Sequence, residues 1–147
     1  MTRYVAGFLF TTDRQQVVLV QKKKPTWQAG RHNGVGGKLE PGETWQDCME
    51  REFREETGVT IPAHAWQHTV TLFNEHFECR FFRAFSEEAR NVKTAEQEEI
   101  HLHYVHDVMS RRLALIDNLY WLVPLQLDMG LHFPIAPIKD GLPTGKV

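Results

Sequence analysis

A glycine-rich stretch runs directly into a stretch without glycine or proline, and this order constrains the fold more than any other feature of the chain. Lys22–Gly37 holds one proline and four glycines, which predicts a loop that contains a short strand. Glu43–Thr57 holds neither residue type and is followed by Gly58, which predicts a helix of about four turns with a glycine cap. Thr44 is the expected N-cap, with Asp47 at the capping-box position.

Charge is distributed unevenly over the same region. Arg14–Leu39 carries six basic residues and no acid, whereas Glu40–Glu56 carries seven acids and two bases. Glu52, Glu55 and Glu56 share one face of the predicted helix, where like charges repel by about 0.2–0.5 kcal/mol per pair. A cation is therefore expected there, and oxygen ligands suit Mg²⁺ or Mn²⁺ better than zinc. Phosphate oxygens would suit the basic stretch, and the metal would bridge these oxygens to the acidic helix.

Length and composition limit the classes of protein that need to be considered. The 147 residues are 41% hydrophobic, which is enough for one domain with a sizeable core over residues 1–147. A net charge of −2 argues against a nucleic acid polymer or a membrane surface as partner. No apolar run approaches the ~20 residues of a membrane span, and no signal peptide is evident. Cys48 and Cys79 are expected to be reduced thiols in a cytoplasmic protein.

The other segments predict further strands and helices of one α/β domain. Strands are expected at Tyr4–Thr11, Gln16–Gln21, Trp66–Phe73, Phe77–Phe85 and Ile100–Val105, the first two as a hairpin. Helices are expected at Asp107–Arg112 and at Asp117–Leu127, where Pro124 interrupts the pattern. The tail from Phe133, which includes Pro143, is expected to be irregular.

One segment resembles a known family. Gly37–Val59 is GKLEPGETWQDCMEREFREETGV, which is similar to the Nudix box G-x5-E-x7-R-E-U-x-E-E-x-G-U, where U is a bulky apolar residue. The matching positions are Gly37, Glu43, Arg51, Glu52, Phe53, Glu55, Glu56, Gly58 and Val59. The resemblance implies the Nudix fold, an α/β/α sandwich with a central mixed sheet. It also implies metal-dependent hydrolysis of a nucleoside diphosphate linked to another group.

The resemblance further implies a role for each matching residue. The implied metal ligands are the Gly37 carbonyl, Glu52, Glu55, Glu56 and, from the acidic run before the predicted strand, Glu99. Arg51 and Glu43 would pair and orient the helix and loop. The metal would lower the pKa of a bound water, and a carboxylate would take the proton. Glu52 and Glu55 are the favoured bases, with Glu99 as a third candidate.

The flanking segments resemble the subgroup that hydrolyses purine nucleoside triphosphates, including oxidised ones. His32–Lys38, HNGVGGK, is similar to that subgroup's run before the box, and Asp117–Leu125 is similar to the start of its purine-binding helix. The implied substrate-binding residues are Lys23, Asn33, Lys38, Asp117 and Asn118. Asn118 replaces an acid, and Leu115 stands near the place of a base-stacking tryptophan. Trp27 is a candidate to line the pocket.

The leading hypothesis is an enzyme in which water attacks a phosphorus of a nucleoside triphosphate and releases the monophosphate and pyrophosphate. The alternative substrate is another nucleoside diphosphate derivative, such as ADP-ribose or a nucleotide sugar. A non-catalytic nucleotide-sensing module is the competing class. Such modules usually lose the box carboxylates, which this chain retains. The expected partner is thus a small nucleotide.

Overall fold

The centre of the computed structural model, which describes residues 1–141, is a mixed sheet of eight strands. The strands are β1 (Thr2–Phe10), β2 (Gln16–Gln21), β3 (His32–Asn33), β4 (Val35–Lys38), β5 (Gln67–Phe73), β6 (Phe77–Phe85), β7 (Glu99–Tyr104) and β8 (Ile138–Lys139). The helices are α1 (Trp45–Thr57), α2 (Val105–Met109) and α3 (Leu119–Leu127). Short 3-10 helices lie at Thr26–Gln28, Ala63–Ala65 and Glu87–Asn91.

Strand β1 organises the sheet because it pairs with three other strands. It runs parallel to β6 from Thr2, opposite Phe77, to Phe10, opposite Phe85. It runs antiparallel to β4 and, at its end, to β2, where Phe10 lies opposite Val17. The strand order is β3-β2-β1-β6-β5-β8, with β4 also on β1 and β7 also on β2. Both the predicted hairpin and the predicted mixed sheet are confirmed.

Helices cover both faces of this sheet. Successive side chains of a strand point to opposite faces of the sheet, so alternate residues of β2 pack in two different apolar clusters. Val18 and Val20 pack with Phe53 of α1 in one apolar cluster, here called the α1 layer. Val17 and Leu19 pack with α2 and α3 in a second cluster, the α3 layer. This arrangement confirms the predicted α/β/α sandwich.

Helix α1 begins and ends at the residues that its sequence indicates. The Thr44 hydroxyl accepts a hydrogen bond from the Asp47 N–H at 3.1 Å. At the other end Gly58 has a φ of 76°, and its N–H donates to the Arg54 carbonyl at 2.9 Å. The helix starts two residues later than predicted because Glu43 precedes the cap.

The glycine-rich segment contains two short strands instead of the one expected. Asn33 of β3 pairs with Val20 of β2, whereas Val35 of β4 pairs with Gly7 of β1. Gly34 alone separates the two strands. The chain therefore passes from a pairing with β2 to a pairing with β1 within a few residues. The glycines in this segment hide the two strands from a local sequence pattern.

The tail from Phe133 is not wholly irregular, so that prediction was wrong. Ile138 and Lys139 form β8, and Ile138 lies opposite Leu72 of β5 in parallel register. A strand of two exposed residues at the sheet edge produces no periodic pattern. Residues 142–147, including Pro143, lie outside the described residues.

Two helix boundaries also differ from the predicted ones. Helix α2 ends before Arg111, whose φ of 60° is incompatible with continuation. Helix α3 begins at Leu119, two residues later than predicted, because Asn118 is its N-cap residue and Asp117 precedes the cap. Within residues 1–141, no helix has the length and apolar content that crossing a membrane would need.

Candidate active site

Arg51 is the centre of an acidic cluster on α1. Its Nε donates to Glu43 Oε2 at 2.6 Å, and its Nη2 donates to Glu43 Oε1 at 3.0 Å, so the guanidinium binds this carboxylate through two nitrogens. Its Nη1 donates to Glu52 at 2.9 Å and to Glu55 at 3.2 Å. Its Nη2 also donates to the Lys38 carbonyl at 3.1 Å. One side chain thereby fixes α1, the preceding loop and β4 relative to one another.

The same contacts set the charge state of Glu43. The Arg51 guanidinium beside it lowers the pKa of Glu43 to about 2, and the pKa of Arg51 is raised in turn. Glu43 is therefore an anion throughout the neutral range. The prediction that Arg51 and Glu43 pair is confirmed by this geometry.

Gly37 brings β4 into close contact with the carboxylate of Glu52. A Cβ built at position 37 would overlap the Glu52 carboxylate, so any side chain there would force that carboxylate to move. The predicted backbone and side-chain ligands are thus adjacent. Burial raises the pKa of Glu52, against the opposing effect of Arg51.

Glu56 carries a carboxylate oxygen that lacks a partner. Its Oε2 is buried and accepts no hydrogen bond from any residue of 1–141. Burial raises the pKa of Glu56 to about 8, and the charge of Glu52 adds to this effect. A buried carboxylate with an unsatisfied oxygen has the chemistry of a hard-cation ligand.

The carboxylates predicted as metal ligands do not converge on one point within residues 1–141. Within the described part of the chain, no three His, Cys, Asp or Glu side chains lie close enough together to hold a metal ion. The contacts on α1 explain this, because Glu52 and Glu55 both turn an oxygen toward Arg51. The residues that could hold a divalent cation are Gly37, Glu52, Glu55 and Glu56.

The structure separates Glu99 from this cluster. Glu99 is the exposed first residue of β7, and the next residue, Ile100, packs in the α1 layer. By strand alternation the Glu99 side chain lies on the other face of the sheet. Glu96 and Glu98 are the members of this acidic run whose charges raise the pKa of Glu56.

Glu98 fastens the acidic run to the end of β2. Its carboxylate accepts from Lys22 Nζ at 2.9 Å and from the backbone N–H groups of Lys23 and Lys24. These hydrogen bonds lower the pKa of Glu98 although burial acts against them. Sequence reasoning missed this contact, because it joins residues 76 positions apart.

A cavity of about 590 Å³ lies against the α3 layer. Asn33, Asp117 and Asn118 line it, so the structure brings together three of the five predicted substrate-binding residues. Trp27 lines it as well, as expected. Its floor is apolar and includes Ala6 and other sheet residues, namely Leu72, Phe77, Cys79 and Phe81. This volume is typical of a small-molecule site.

The two predicted lysines lie away from this cavity. The Lys23 N–H is bonded to Glu98, and the side chain of Lys23 is exposed. Lys38 lines a shallower depression beside Arg3 and Glu43. Cations that do line the cavity are Arg31 and Lys139. Lys139 comes from β8, which no sequence pattern predicted.

The chain is similar to one known family and to several known proteins. The model of the NUDIX domain matches residues 1–121. The chain is 30% identical over 117 residues to the uncharacterized Nudix hydrolase YvcI of Bacillus subtilis (strain 168), covering 75% of this chain and 71% of that protein. It is 36% identical over 86 residues to the oxidized purine nucleoside triphosphate hydrolase of Mus musculus, covering 58% of this chain and 55% of the mouse protein.

Solved structures share the fold at low identity. The chain superposes with a TM-score of 0.72 on a MutT structure from a study of Aliivibrio salmonicida and Vibrio cholerae, at 19% identity over 87% of this chain and 98% of the other. The TM-score is also 0.72 for the NUDIX domain of Shewanella oneidensis NrtR complexed with ADP ribose, at 19% identity over 88% of each chain. At such identities the likeness shows the fold alone.

Proposed function

Because this chain belongs to the Nudix family of hydrolases, which act on nucleotide derivatives, we propose that it is a pyrophosphohydrolase of nucleoside triphosphates. Water attacks a phosphorus of the triphosphate, the phosphoanhydride bond breaks, and the nucleoside monophosphate and pyrophosphate leave. An oxidised purine deoxynucleotide is one substrate of this class. The similarity to the mouse enzyme, named for oxidized purine nucleoside triphosphates, supports it.

The observation that carries the proposal is the joint placement of Asn33, Asp117 and Asn118 around one cavity. Asn33 belongs to β3, whereas Asp117 and Asn118 immediately precede α3, so two distant parts of the chain meet here. Each of the three residues was expected to contact a purine. Their amide and carboxylate groups supply the few polar contacts that orient a ligand in an apolar pocket.

Hydrolases of this family use divalent cations, and the residues of α1 fit one. Glu52, Glu55, Glu56 and the Gly37 carbonyl would hold Mg²⁺, with Mn²⁺ as the alternative, whereas the placement of Glu99 on the other face of the sheet does not favour it as a ligand. When bound, the cation neutralises phosphate oxygens and lowers the pKa of a water ligand. The unpartnered oxygen of Glu56 supports this assignment.

The chain's own side chains divide the remaining tasks. Arg51 and Glu43 are positioning residues, since their paired contacts hold α1 against the loop and β4. Glu52 or Glu55 takes the proton from the attacking water. Lys23 and Lys38 neutralise the triphosphate as it extends from the cavity toward α1.

The second candidate function is hydrolysis of another nucleoside diphosphate derivative, such as ADP-ribose or a nucleotide sugar. The same fold holds ADP ribose in the NUDIX domain of Shewanella oneidensis NrtR, so the fold itself is compatible with such a ligand. A non-catalytic sensing role has less support, because all the box carboxylates are retained.

Substitution of the α1 carboxylates tests the proposed chemistry. Glu55→Gln and Glu56→Gln each replace an anionic ligand by a neutral group of the same size. We expect pyrophosphate release from dGTP in Mg²⁺ to fall by about 10²- to 10⁴-fold in both variants.

Glu88→Gln is the matched control for these variants. Glu88 is exposed and lies in the 3-10 helix Glu87–Asn91, where its carboxylate accepts a hydrogen bond from Asn91. This variant should retain wild-type turnover. Full turnover by Glu55→Gln and Glu56→Gln would contradict the assignment of both residues to the metal site.

A further inference from the structure

Three residues that line the cavity carry buried polar atoms whose hydrogen-bonding capacity is unused. Trp27 Nε1, Gln28 Oε1 and Asn118 Oδ1 are buried without a hydrogen-bond partner among residues 1–141, and all three residues line the cavity. A buried polar group without a hydrogen-bond partner destabilises the fold, so each of these atoms requires an explanation. A ligand that supplies the partners explains all three together.

Gln28 is the most constrained of the three. It is only 3% exposed, although it is a polar residue in a surface loop. Its N–H donates to the Pro25 carbonyl at 2.9 Å, and its carbonyl accepts from the Arg31 N–H at 2.9 Å. The loop closes on β2 through hydrogen bonds between Lys22 and both Gly30 and Arg31, each at 2.8 Å. These backbone hydrogen bonds fix the position of Gln28 beside the cavity, and none of them depends on a ligand.

The donor and acceptor types of the three atoms define the complementary ligand. An indole nitrogen only donates, and the two amide oxygens only accept. The ligand edge must therefore present one acceptor and two donors. The Watson–Crick edge of guanine does so through O6, N1–H and the 2-amino group. The Watson–Crick edges of adenine, cytosine and thymine supply fewer of the required groups, which are one acceptor and two donors.

The rest of the cavity suits a flat ring. Its floor is formed by sheet residues such as Phe81, and Ile116 adds to the apolar lining. Trp121 lines the cavity and is 41% exposed, so its ring is available for contact. A nucleobase stacked on aromatic groups and hydrogen-bonded at its Watson–Crick edge is a common mode of base recognition.

From these observations we propose that Gln28 is a specificity-determining residue that accepts a hydrogen bond from the 2-amino group of a guanine-type base. Trp27 donates to the 6-oxo group, and Asn118 accepts from N1–H. Each side chain turns its covered atom toward the base as it enters. This inference rests on the proposed function and goes beyond it by naming the residue that selects the base.

Binding of monophosphates tests the inference without turnover. The probes are dGMP and dIMP, which differ only in the 2-amino group, and the readout is the Kd measured by titration calorimetry. The wild-type protein should bind dGMP about tenfold more tightly than dIMP, the effect of one hydrogen bond to a buried group. Gln28→Met removes the acceptor while keeping an unbranched side chain of similar length, and should bind both ligands equally.

Two further variants separate the hydrogen bond from packing. Gln28→Glu keeps an acceptor oxygen and should keep the preference for dGMP. Gln126→Met is the matched control, because Gln126 is also a buried amide with unpartnered atoms but does not line the cavity. It should leave the ratio of the two Kd values at its wild-type level.

The inference is overturned if wild-type protein binds neither monophosphate or binds them equally, or if Gln28→Met retains the preference. None of these binding results contradicts the proposed function, provided that the protein releases pyrophosphate from triphosphates in the turnover assay. Selective binding of dGMP without any triphosphate turnover would instead support the role of Gln28 and contradict the proposed function.

Discussion

The contact between Arg51 and Glu43 explains at the residue level why these two residue types recur in the box. A guanidinium matches a carboxylate through two parallel hydrogen bonds, which a lysine cannot reproduce. The remaining guanidinium nitrogen, Nη1, donates to both Glu52 and Glu55. One cation thereby offsets the repulsion between carboxylates that the sequence pattern implied.

Glu43 gives the first pH-dependent prediction. Its pKa in the folded protein is about 2, against an ordinary value of 4.5. As the pH falls, Glu43 therefore takes up a proton in the unfolded chain before it does so in the folded protein. The charged Glu43 side chain stabilises the fold by about 3 kcal/mol. This stabilisation is present above pH 4.5 and is lost as the pH falls toward 2. The gap in unfolding free energy between wild type and Glu43→Gln should narrow by about 2 kcal/mol from pH 6 to pH 3.

Urea titrations at the two pH values measure this gap. Glu88→Gln, which replaces an exposed carboxylate, serves as the control and should show a gap near zero at both. A gap for Glu43→Gln that is the same at pH 6 and pH 3 would mean that Arg51 does not hold the Glu43 anion in the folded protein.

The residues that sequence reasoning missed share one physical property. Gln28 and Lys139 both line the cavity, which forms only when distant parts of the chain come together, and no local spacing encodes that. The box residues could be recognised because all of them lie within 23 consecutive positions that resemble a known family pattern. Helical spacing by itself placed only Glu52, Glu55 and Glu56 on one face. The distant Glu98–Lys22 contact depends on the pairing of β7 with β2.

At the scale of elements, α1 was the most predictable part of the fold. Its caps are local features: the Thr44 hydroxyl satisfies a backbone N–H, and Gly58 takes a left-handed conformation. Strand β8 was not predictable, because two residues at a sheet edge leave no pattern and their pairing with β5 is set by tertiary contacts.

The Thr44 cap provides a prediction about α1. Thr44→Ala removes the acceptor for the Asp47 N–H and should lower the free energy of unfolding by about 1 kcal/mol. Thr44→Ser keeps the hydroxyl and should stay within about 0.5 kcal/mol of wild type. Urea unfolding monitored by circular dichroism distinguishes them; equal stability of the Ala and Ser variants would show that the cap contributes nothing.

At the scale of the whole molecule, the two halves of the site lie on different layers. The carboxylates belong to α1, and the cavity lies against the α3 layer. The segment from β3 to β4 joins them, because Asn33 lines the cavity and Gly37 touches Glu52. A nucleotide whose base occupies the cavity can extend its phosphates along this segment toward α1.

A substrate panel tests the central claim most directly. Pyrophosphate and monophosphate release should be measured in Mg²⁺ for the four dNTPs, oxidised dGTP, ADP-ribose, nucleotide sugars and diadenosine polyphosphates, with EDTA-treated samples alongside. The account predicts pyrophosphate release from triphosphates, led by those with guanine-type bases, and loss of activity in EDTA. Cleavage of ADP-ribose with every triphosphate left intact would contradict it.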